Sequence, residues 1–112
     1  MNREDLLYKL SKSKFRSSFK LKQKDIDYIK RIGFDKIEEH AYDFINKIND
    51  GKQTPTYGHP VFIAQHATAT CCRNCLYKWY HIDKNKILTD KEIKLIVDII
   101  MSWIKKKYNE SI

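Results

Sequence analysis

Apolar residues of this 112-residue chain recur at the spacing of an α-helix, and this periodicity limits the fold more than any other feature. The clearest stripe runs from Ile93 to Ile104, and a second one runs from Ile37 to Ile48. No segment alternates apolar and polar residues with a period of two, so strands are not expected. The sequence therefore predicts an all-α fold, a small single-domain bundle of four to five helices over residues 1–112.

Local signals place the helices along the chain. The expected helices cover residues 2–10 (with Asn2 as N-cap), 24–32, 35–48, 61–79 and 90–107. Gly33 is expected to end the second of them, because glycine favours the left-handed conformation found after helix C-termini. Thr89 and Glu92 have the spacing of a capping box, which predicts the start of the last helix.

The charge is strongly positive and unevenly distributed. Lys and Arg number 22 against 14 acidic residues, which gives a net charge of +8. The segment from Lys9 to Lys24, called here the basic arm, contains no acidic residue and includes Phe15 and Phe19. Basic surfaces with interleaved aromatic rings are typical of proteins that bind a phosphate backbone. We therefore expect nucleic acid or another polyanion as partner, contacted by the side chains of Lys12, Lys14, Arg16, Lys20 and Lys22. The alternative is a solvated face that only keeps the protein soluble.

Composition excludes several classes of protein. An apolar fraction of 42% is too high for a disordered chain, and no apolar run approaches the roughly 18–20 residues that cross a bilayer. The first ten residues, MNREDLLYKL, contain no apolar signal-peptide region. Three cysteines within five residues do not form a disulfide framework. We therefore expect a cytoplasmic protein with reduced thiols and no membrane association.

Most side chains suited to chemistry lie in one His/Cys-rich segment, residues 58–82. On a helix, Cys72 and Cys75 are three residues apart and Cys71 and Cys75 four apart, so either pair can chelate a metal. His81 lies near the end of the expected helix, and His59 lies just before its start. The pattern predicts a site for zinc or an iron centre, with Cys72, Cys75 and His81 as ligands, joined by Cys71 or His59. Three cysteines are one fewer than an all-Cys iron–sulfur site requires.

Two alternatives for this segment stay open. The cysteines can pack as small hydrophobic residues on the buried side of a helix. In the middle of a helix, moreover, the helix dipole hardly stabilises a thiolate. The segment can also be catalytic. His59 and His66 would then be acid–base or anion-binding groups, Arg73 and Lys78 would hold a phosphate or carboxylate, and one cysteine would be the nucleophile. The backbone N–H groups of residues 61–64 are the expected anion pocket beside His59.

The block GHPVFIAQHATATCCRNCLYKW, residues 58–79, resembles a family of small uncharacterised bacterial and phage proteins, a domain of unknown function. The resemblance covers almost the whole chain and includes SKSKFRSSFKL, EEHAYDFI, GKQTP, LTDKEI and MSWI. In the family pattern a histidine follows the tryptophan. This chain has Tyr80 there and His81 next, which either removes the role of that histidine or shifts it to His81. The resemblance also implies that residues 11–21 and 58–79 form one functional unit.

Three hypotheses of function follow. The first is a cytoplasmic domain that binds a polyanion, most simply nucleic acid, and has a His/Cys site that holds a metal. The second is a small enzyme that uses His, Cys and Arg residues of segment 58–82. The third is a protein-interaction module, such as a phage-borne inhibitor of a host nucleic-acid enzyme, because the chain is small, highly charged and without a decisive catalytic motif. The sequence alone assigns no substrate.

Overall fold

The structure is a computed structural model that describes residues 3–111. Within these residues there are six α-helices and no strand, so the predicted all-α class is confirmed. The helices are α1 (Arg3–Lys12), α2 (Gln23–Ile32), α3 (Phe34–Asn49), α4 (Pro60–Ala67), α5 (Arg73–Tyr80) and α6 (Asp90–Ser111). A single 3₁₀ turn, Arg16–Ser18, lies between α1 and α2. Asn2, the predicted N-cap of the first helix, lies outside the described residues.

Two predicted helix boundaries are confirmed by their hydrogen bonds. Gly33 follows α2 with φ 86°, a value that other residues rarely adopt, and its N–H donates to Ile29 O at 2.8 Å. At the start of α6 the Thr89 N–H donates to Glu92 Oε1 at 2.9 Å, and the Glu92 N–H donates to Thr89 Oγ1 at 3.1 Å. This reciprocal pair of bonds is a capping box.

The expected count of four to five helices is too low, because the predicted fourth helix is two helices in the structure. Residues 68–72 separate α4 from α5. Within them Ala69 has φ 59°, in the left-handed region, and the Thr68 hydroxyl donates to Ala64 O at 2.7 Å. The Thr70 hydroxyl lies 3.1 Å from that of Thr68. Threonine hydroxyls bonded to nearby groups compete with the helical pattern, although the alanines around them favour it.

The main hydrophobic core lies where α3, α4 and α6 meet. Each helix contributes a stripe of almost fully buried side chains, which are Ile37, Ala41, Ile45 and Ile48 from α3, Val61 and Ala64 from α4, and Ile96, Val97, Ile100 and Ile104 from α6. These stripes have the spacing of helices that pack through one face. The periodicity that predicted α3 and α6 therefore corresponds to burial in the core.

A second, smaller hydrophobic cluster lies between α1 and α6. Leu6 and Leu10 of α1 pack there with Ile99 of α6 and with Ala69, and Cys75 lies at its edge. α1 thereby covers the connection between α4 and α5. None of the described helices is long and apolar enough to cross a membrane.

Candidate metal centre

The three cysteines converge at the start of α5, in a group called here the cysteine cluster. The Cys75 Sγ lies 3.5 Å from the Cys71 Sγ and 3.4 Å from the Cys72 Sγ, and all three atoms lie within 4.8 Å of one another. A tetrahedral zinc ion with Zn–S bonds of about 2.3 Å requires sulfur atoms about 3.8 Å apart. The cluster therefore has the spacing of three corners of a tetrahedral metal site, and it can hold a metal ion.

The break between α4 and α5 produces this arrangement. Cys72 is the N-cap of α5, and Cys75 lies in its first turn. Cys71 is buried, and its carbonyl accepts a hydrogen bond from the Thr54 hydroxyl at 2.7 Å. That hydroxyl in turn accepts from Gln65 Nε2 at 3.2 Å. The expectation that the cysteines lie in the middle of a helix is wrong, because they lie at a helix N-terminus, whose dipole favours negative charge.

A buried arginine from the basic arm faces the sulfur atoms. Arg16 is 8% exposed, and its Nη2 donates to Cys75 Sγ at 3.2 Å. Its Nη1 donates to Cys71 Sγ at 3.7 Å and to His66 O at 2.7 Å. Burial acts to lower the pKa of Arg16, but the hydrogen bonds and charge interactions with Cys75 and Cys71 raise it. This placement removes Arg16 from the predicted phosphate-binding set, since its guanidinium is already bonded to sulfur and to a carbonyl.

The contact of Arg16 with the cysteines was not predicted, because Cys71 and Cys75 lie 55 and 59 residues further along the chain. One signal was present, because only four of the 22 basic residues are arginine. A planar guanidinium bonds several acceptors in a fixed geometry, whereas a lysine ammonium is a flexible point charge. An arginine within a lysine-rich segment therefore indicates a specific partner rather than general solubility.

Tyr80 lies beside the cluster, on the side of the helix break. Its hydroxyl donates to Thr68 O. Burial is the largest effect on the tyrosine and raises its pKa well above the usual value, while nearby Arg16 lowers it to a smaller extent. The phenol is therefore a neutral donor that supports the backbone of the connection.

Neither histidine predicted as a metal ligand joins the cysteines. His81 is exposed and ends α5 with φ 59°. His59 is the N-cap of α4, where its Nδ1 accepts the Val61 N–H at 3.0 Å and its Nε2 lies 2.9 Å from His40 Nδ1. The group of side chains that could hold a metal ion consists of the three cysteines, and no other described histidine or carboxylate completes it.

His59 and His40 form a histidine pair between α4 and α3. Burial, and to a smaller extent the neighbouring His40, lower the pKa of His59 to about 4. Because Nδ1 accepts the Val61 N–H, the proton of neutral His59 is assigned to Nε2 and is donated to His40. Three aromatic rings lie against His59, those of Tyr28, Phe44 and Phe62. The His59 side chain itself thus bonds the first N–H of the predicted anion pocket.

His66, predicted to be an acid–base group, has structural partners. Its ring stacks on Phe19 of the basic arm with 5.3 Å between the ring centroids. Its Nε2 lies 3.0 Å from Thr54 O and 3.1 Å from Pro55 O, so this nitrogen carries the proton and donates it to a carbonyl. His66 therefore joins the basic arm to the loop before α4.

Arg73, predicted to hold a substrate anion, bonds the loop between α5 and α6 instead. It donates to Asp83 O at 2.5 Å and to Lys86 O at 2.7 Å, and its Nη1 lies 3.3 Å from Asn49 Oδ1. Two of these acceptors belong to the loop, and the third, Asn49, is the last residue of α3. Arg73 therefore positions the loop that leads into α6, and Lys78, its predicted companion, is exposed on α5.

The other four predicted phosphate contacts, Lys12, Lys14, Lys20 and Lys22, are exposed on the surface around the 3₁₀ turn. Lys12 lies 5.1 Å from the centre of the Tyr8 ring. The ion pairs recorded within residues 3–111 involve other lysines, which are Lys36, Lys86, Lys94 and Lys107. The basic arm thus contributes one buried cation, Arg16, to the cysteine cluster, whereas its six lysines, which include Lys9 and Lys24, are all exposed.

No solved structure matches this chain. The sequence profile of a protein family described as Domain of unknown function (DUF4186) matches residues 4–105. The match includes the basic arm, the helix break, all three cysteines and most of α6. The chain therefore belongs to the DUF4186 family.

Proposed function

We propose that this protein binds a metal ion, zinc in the simplest case, through the thiolates of Cys71, Cys72 and Cys75. The observation that carries the proposal is the approach of the three sulfur atoms to within 4.8 Å of one another. Packing as a small hydrophobic residue accounts for Cys71, which is buried, but Cys72 and Cys75 are only half-buried. Thiolates are the ligands that zinc, copper(I) and iron–sulfur centres prefer.

The spacing favours a single ion over an iron–sulfur cluster. In such clusters the cysteines bind different iron atoms, and four thiolates are usual. Here the three sulfur atoms are close enough to share one ion. Zinc would have three protein ligands, so its fourth position would be open to water or to a further ligand. Three protein ligands and an open position are typical of catalytic rather than structural zinc sites.

Arg16 supports the proposal through its charge. A divalent ion with three thiolates has one excess negative charge, and burial of an unpaired charge is unfavourable. The guanidinium supplies the compensating positive charge at 3.2 Å from Cys75 Sγ and 3.7 Å from Cys71 Sγ. Hydrogen bonds to ligand atoms also orient those atoms around a metal. Arg16 is therefore a positioning residue of the proposed site.

The test is the metal content and metal affinity of reduced protein purified without oxygen. We expect about one zinc or cobalt ion per chain, and cobalt should give sulfur-to-metal charge-transfer absorption. Serine in place of Cys72 or Cys75 should abolish that absorption. His81→Gly, the matched control at a histidine outside the cluster, should leave it unchanged. Reduced protein that takes up no zinc, cobalt or iron would overturn the proposal.

A second candidate function, nucleic-acid binding, is supported by the exposed part of the basic arm. We propose that Lys12, Lys14, Lys20 and Lys22 contact phosphates. Phe15 is 59% exposed and offers a ring on which a base can stack. A cleft between the 3₁₀ turn and α6 is lined by Ser17 and by Lys106 and Lys107, so two further lysines lie close to the basic arm.

This candidate predicts that the affinity for single-stranded DNA or RNA falls steeply as salt rises. Lys14→Gln and Lys20→Gln should each weaken binding and reduce the salt slope by about 1. Lys91→Gln, a matched change on an exposed lysine of α6, should have no effect on either quantity. Binding that does not respond to salt, or that responds equally to all three changes, would contradict it.

A further inference from the structure

Cys75 is the sulfur atom on which the hydrogen bonds of the cysteine cluster converge. Arg16 Nη2 donates to it at 3.2 Å, and the thiols of Cys72 and Cys71 donate to it at 3.4 and 3.5 Å. A guanidinium has no acceptor, so Cys75 must accept in the contact with Arg16. Cys75 is therefore the sulfur atom of the cluster towards which the guanidinium and both other thiols are directed.

The other two cysteines differ in access and in backbone setting. Cys71 is 5% exposed, and its carbonyl is bonded to Thr54. Cys72 is half-buried and precedes α5 as its N-cap, with an extended backbone at φ −163°. Cys72 and Cys75 also have the C-x-x-C spacing at a helix N-terminus that is typical of reactive dithiols. Cys72 is therefore the better partner for a covalent bond to Cys75.

We propose that in the metal-free protein Cys72 and Cys75 are a dithiol–disulfide redox pair that exchanges with small disulfides. The Cys75 thiolate attacks one sulfur of a disulfide R–S–S–R, whose S–S bond breaks, and RS⁻ leaves with the electron pair. Cys72 then loses its proton to solvent and attacks the Cys75 sulfur of the mixed disulfide, which releases the second RS⁻. The two protein thiols are oxidised by two electrons, and the small disulfide is reduced to two thiols.

The geometry requires only a small movement. An S–S bond is about 2.05 Å long, and the two sulfur atoms are 3.4 Å apart before reaction. Rotation of the Cys72 side chain closes this gap, since Cys72 lies outside the helix proper. A Cys72–Cys75 disulfide removes two of the three thiolates, so oxidation and metal binding exclude each other. This last consequence rests on the proposed function, whereas the redox pair does not.

The experiment exposes reduced, metal-free protein to buffers of reduced and oxidised glutathione over a range of potentials. We expect two of the three thiols to disappear and the mass to fall by two hydrogens. Trypsin cleaves after Arg73, between Cys72 and Cys75, so the disulfide joins two peptides that are separate in the reduced protein. Cys71→Ser should retain this link, and Cys72→Ser should stop at the glutathione mixed disulfide on Cys75.

Three free thiols at every potential, or a link that is lost in Cys71→Ser and kept in Cys72→Ser, would overturn the redox pair. Metal affinity is measured separately on the same reduced protein. Protein that binds zinc but forms no disulfide retains the metal function and loses this inference. Protein that forms the disulfide but takes up no metal retains this inference and loses the metal function.

The role of Arg16 is tested by the rate at which iodoacetamide alkylates Cys75, followed by peptide mass spectrometry. Arg16→Gln should slow alkylation of Cys75 several-fold relative to Cys72. Arg16→Lys, which keeps the charge, should recover part of the rate and serves if the glutamine variant does not fold. Equal rates at Cys75 in wild type and in a folded Arg16 variant would show that the guanidinium does not activate this sulfur.

Discussion

At the scale of single residues, two positions other than glycine are left-handed within residues 3–111. They are Ala69 and His81, each with φ 59°. Ala69 is completely buried, and its methyl group packs in the smaller hydrophobic cluster. His81 is exposed, so burial of its side chain does not offset the backbone strain. Packing therefore offsets the strain of the left-handed backbone at Ala69 but not at His81.

His81→Gly should stabilise the protein by roughly 0.5–1 kcal/mol, because glycine is left-handed without a steric penalty but loses more entropy on folding. Thermal unfolding followed by circular dichroism measures the effect as a rise in Tm of a few degrees. His81→Ala is the matched control and should give no such rise, since alanine keeps the strain. A glycine variant less stable than wild type would show that the imidazole itself stabilises the fold.

Acid should destabilise the protein through His59. Burial and the neighbouring His40 lower its pKa to about 4, whereas an ordinary histidine titrates near 6.5. Between these values the unfolded chain binds a proton that the folded chain does not bind, so stability falls as pH falls from 6.5 to about 4 and no further below it. We expect a loss of about 1–2 kcal/mol, which is less than the full shift implies because solvent screens part of the charge.

The measurement is urea denaturation across this pH range, with His59→Asn as the matched variant. Asparagine does not titrate, and its side-chain oxygen can accept the Val61 N–H as an N-cap. The variant should lose less stability than wild type between pH 6.5 and 4, and its remaining loss reports the carboxylates and the other three histidines. Equal losses in the two proteins would contradict the assignment to His59.

At the scale of helices, the break between α4 and α5 has the largest consequence for the candidate site. It places Cys72 at the N-cap and Cys75 in the first turn of a new helix, instead of both within a long one. Local propensity opposes the break, because alanine is the strongest helix former. Contacts from other elements stabilise it, since the Ala69 methyl packs against α1 and α6 and Tyr80 bonds the Thr68 carbonyl.

Ala69→Val should destabilise the protein by at least about 2 kcal/mol, since a β-branched side chain is strained in the left-handed region and overfills a packed cluster. Ala69→Gly relieves the strain but loses the methyl contacts, so its stability should stay within about 1 kcal/mol of wild type. Urea denaturation measures both, and cobalt absorption reports whether the cysteines still converge. A valine variant as stable as wild type would show that the connection is not tightly packed.

At the scale of the whole molecule, the cysteine cluster lies where the two hydrophobic clusters meet. Tyr80 packs against both of them, and Cys75 lies at the edge of the smaller one. Arg16 brings the basic arm to the same place through its bonds to two sulfur atoms and His66 O. A metal ion bound by the cysteines would therefore act on the contact between the N-terminal segments and the rest of the bundle.

Removal of the metal with a chelator should therefore lower Tm. A ligand that binds only the folded state, at a free concentration of a hundred times its Kd, raises the free energy of unfolding by about 2.7 kcal/mol. Binding of the metal to the cysteines of the unfolded chain reduces this value. We expect a decrease on the order of 10 °C at most. Cys75→Ser protein is the control, and its Tm should not respond to zinc or chelator. A wild-type Tm that is the same with and without zinc would contradict a metal site coupled to the fold.

Much of the helical framework was predictable because it depends on local order along the chain. The Ile37–Ile48 and Ile93–Ile104 stripes, Gly33 and the capping box at Thr89 each act within a few residues, and the structure confirms them. The grouping of the three cysteines was also predictable, since their spacing of one to four residues keeps them close in any compact conformation. The structure does not place His81 with the cysteines, because the left-handed turn at the end of α5 leaves its side chain exposed.

By itself, then, the sequence determined an all-helical chain with a basic arm and three neighbouring thiols, because periodicity, charge and spacing are properties of adjacent residues. Only the tertiary structure decided where the fourth predicted helix breaks, which cation faces the thiols and which group bonds His59. Each of these depends on a contact between distant segments, such as Arg16 with Cys75, 59 residues apart. Burial makes such contacts decisive, since a buried charge or polar group without a partner costs more than local propensity supplies.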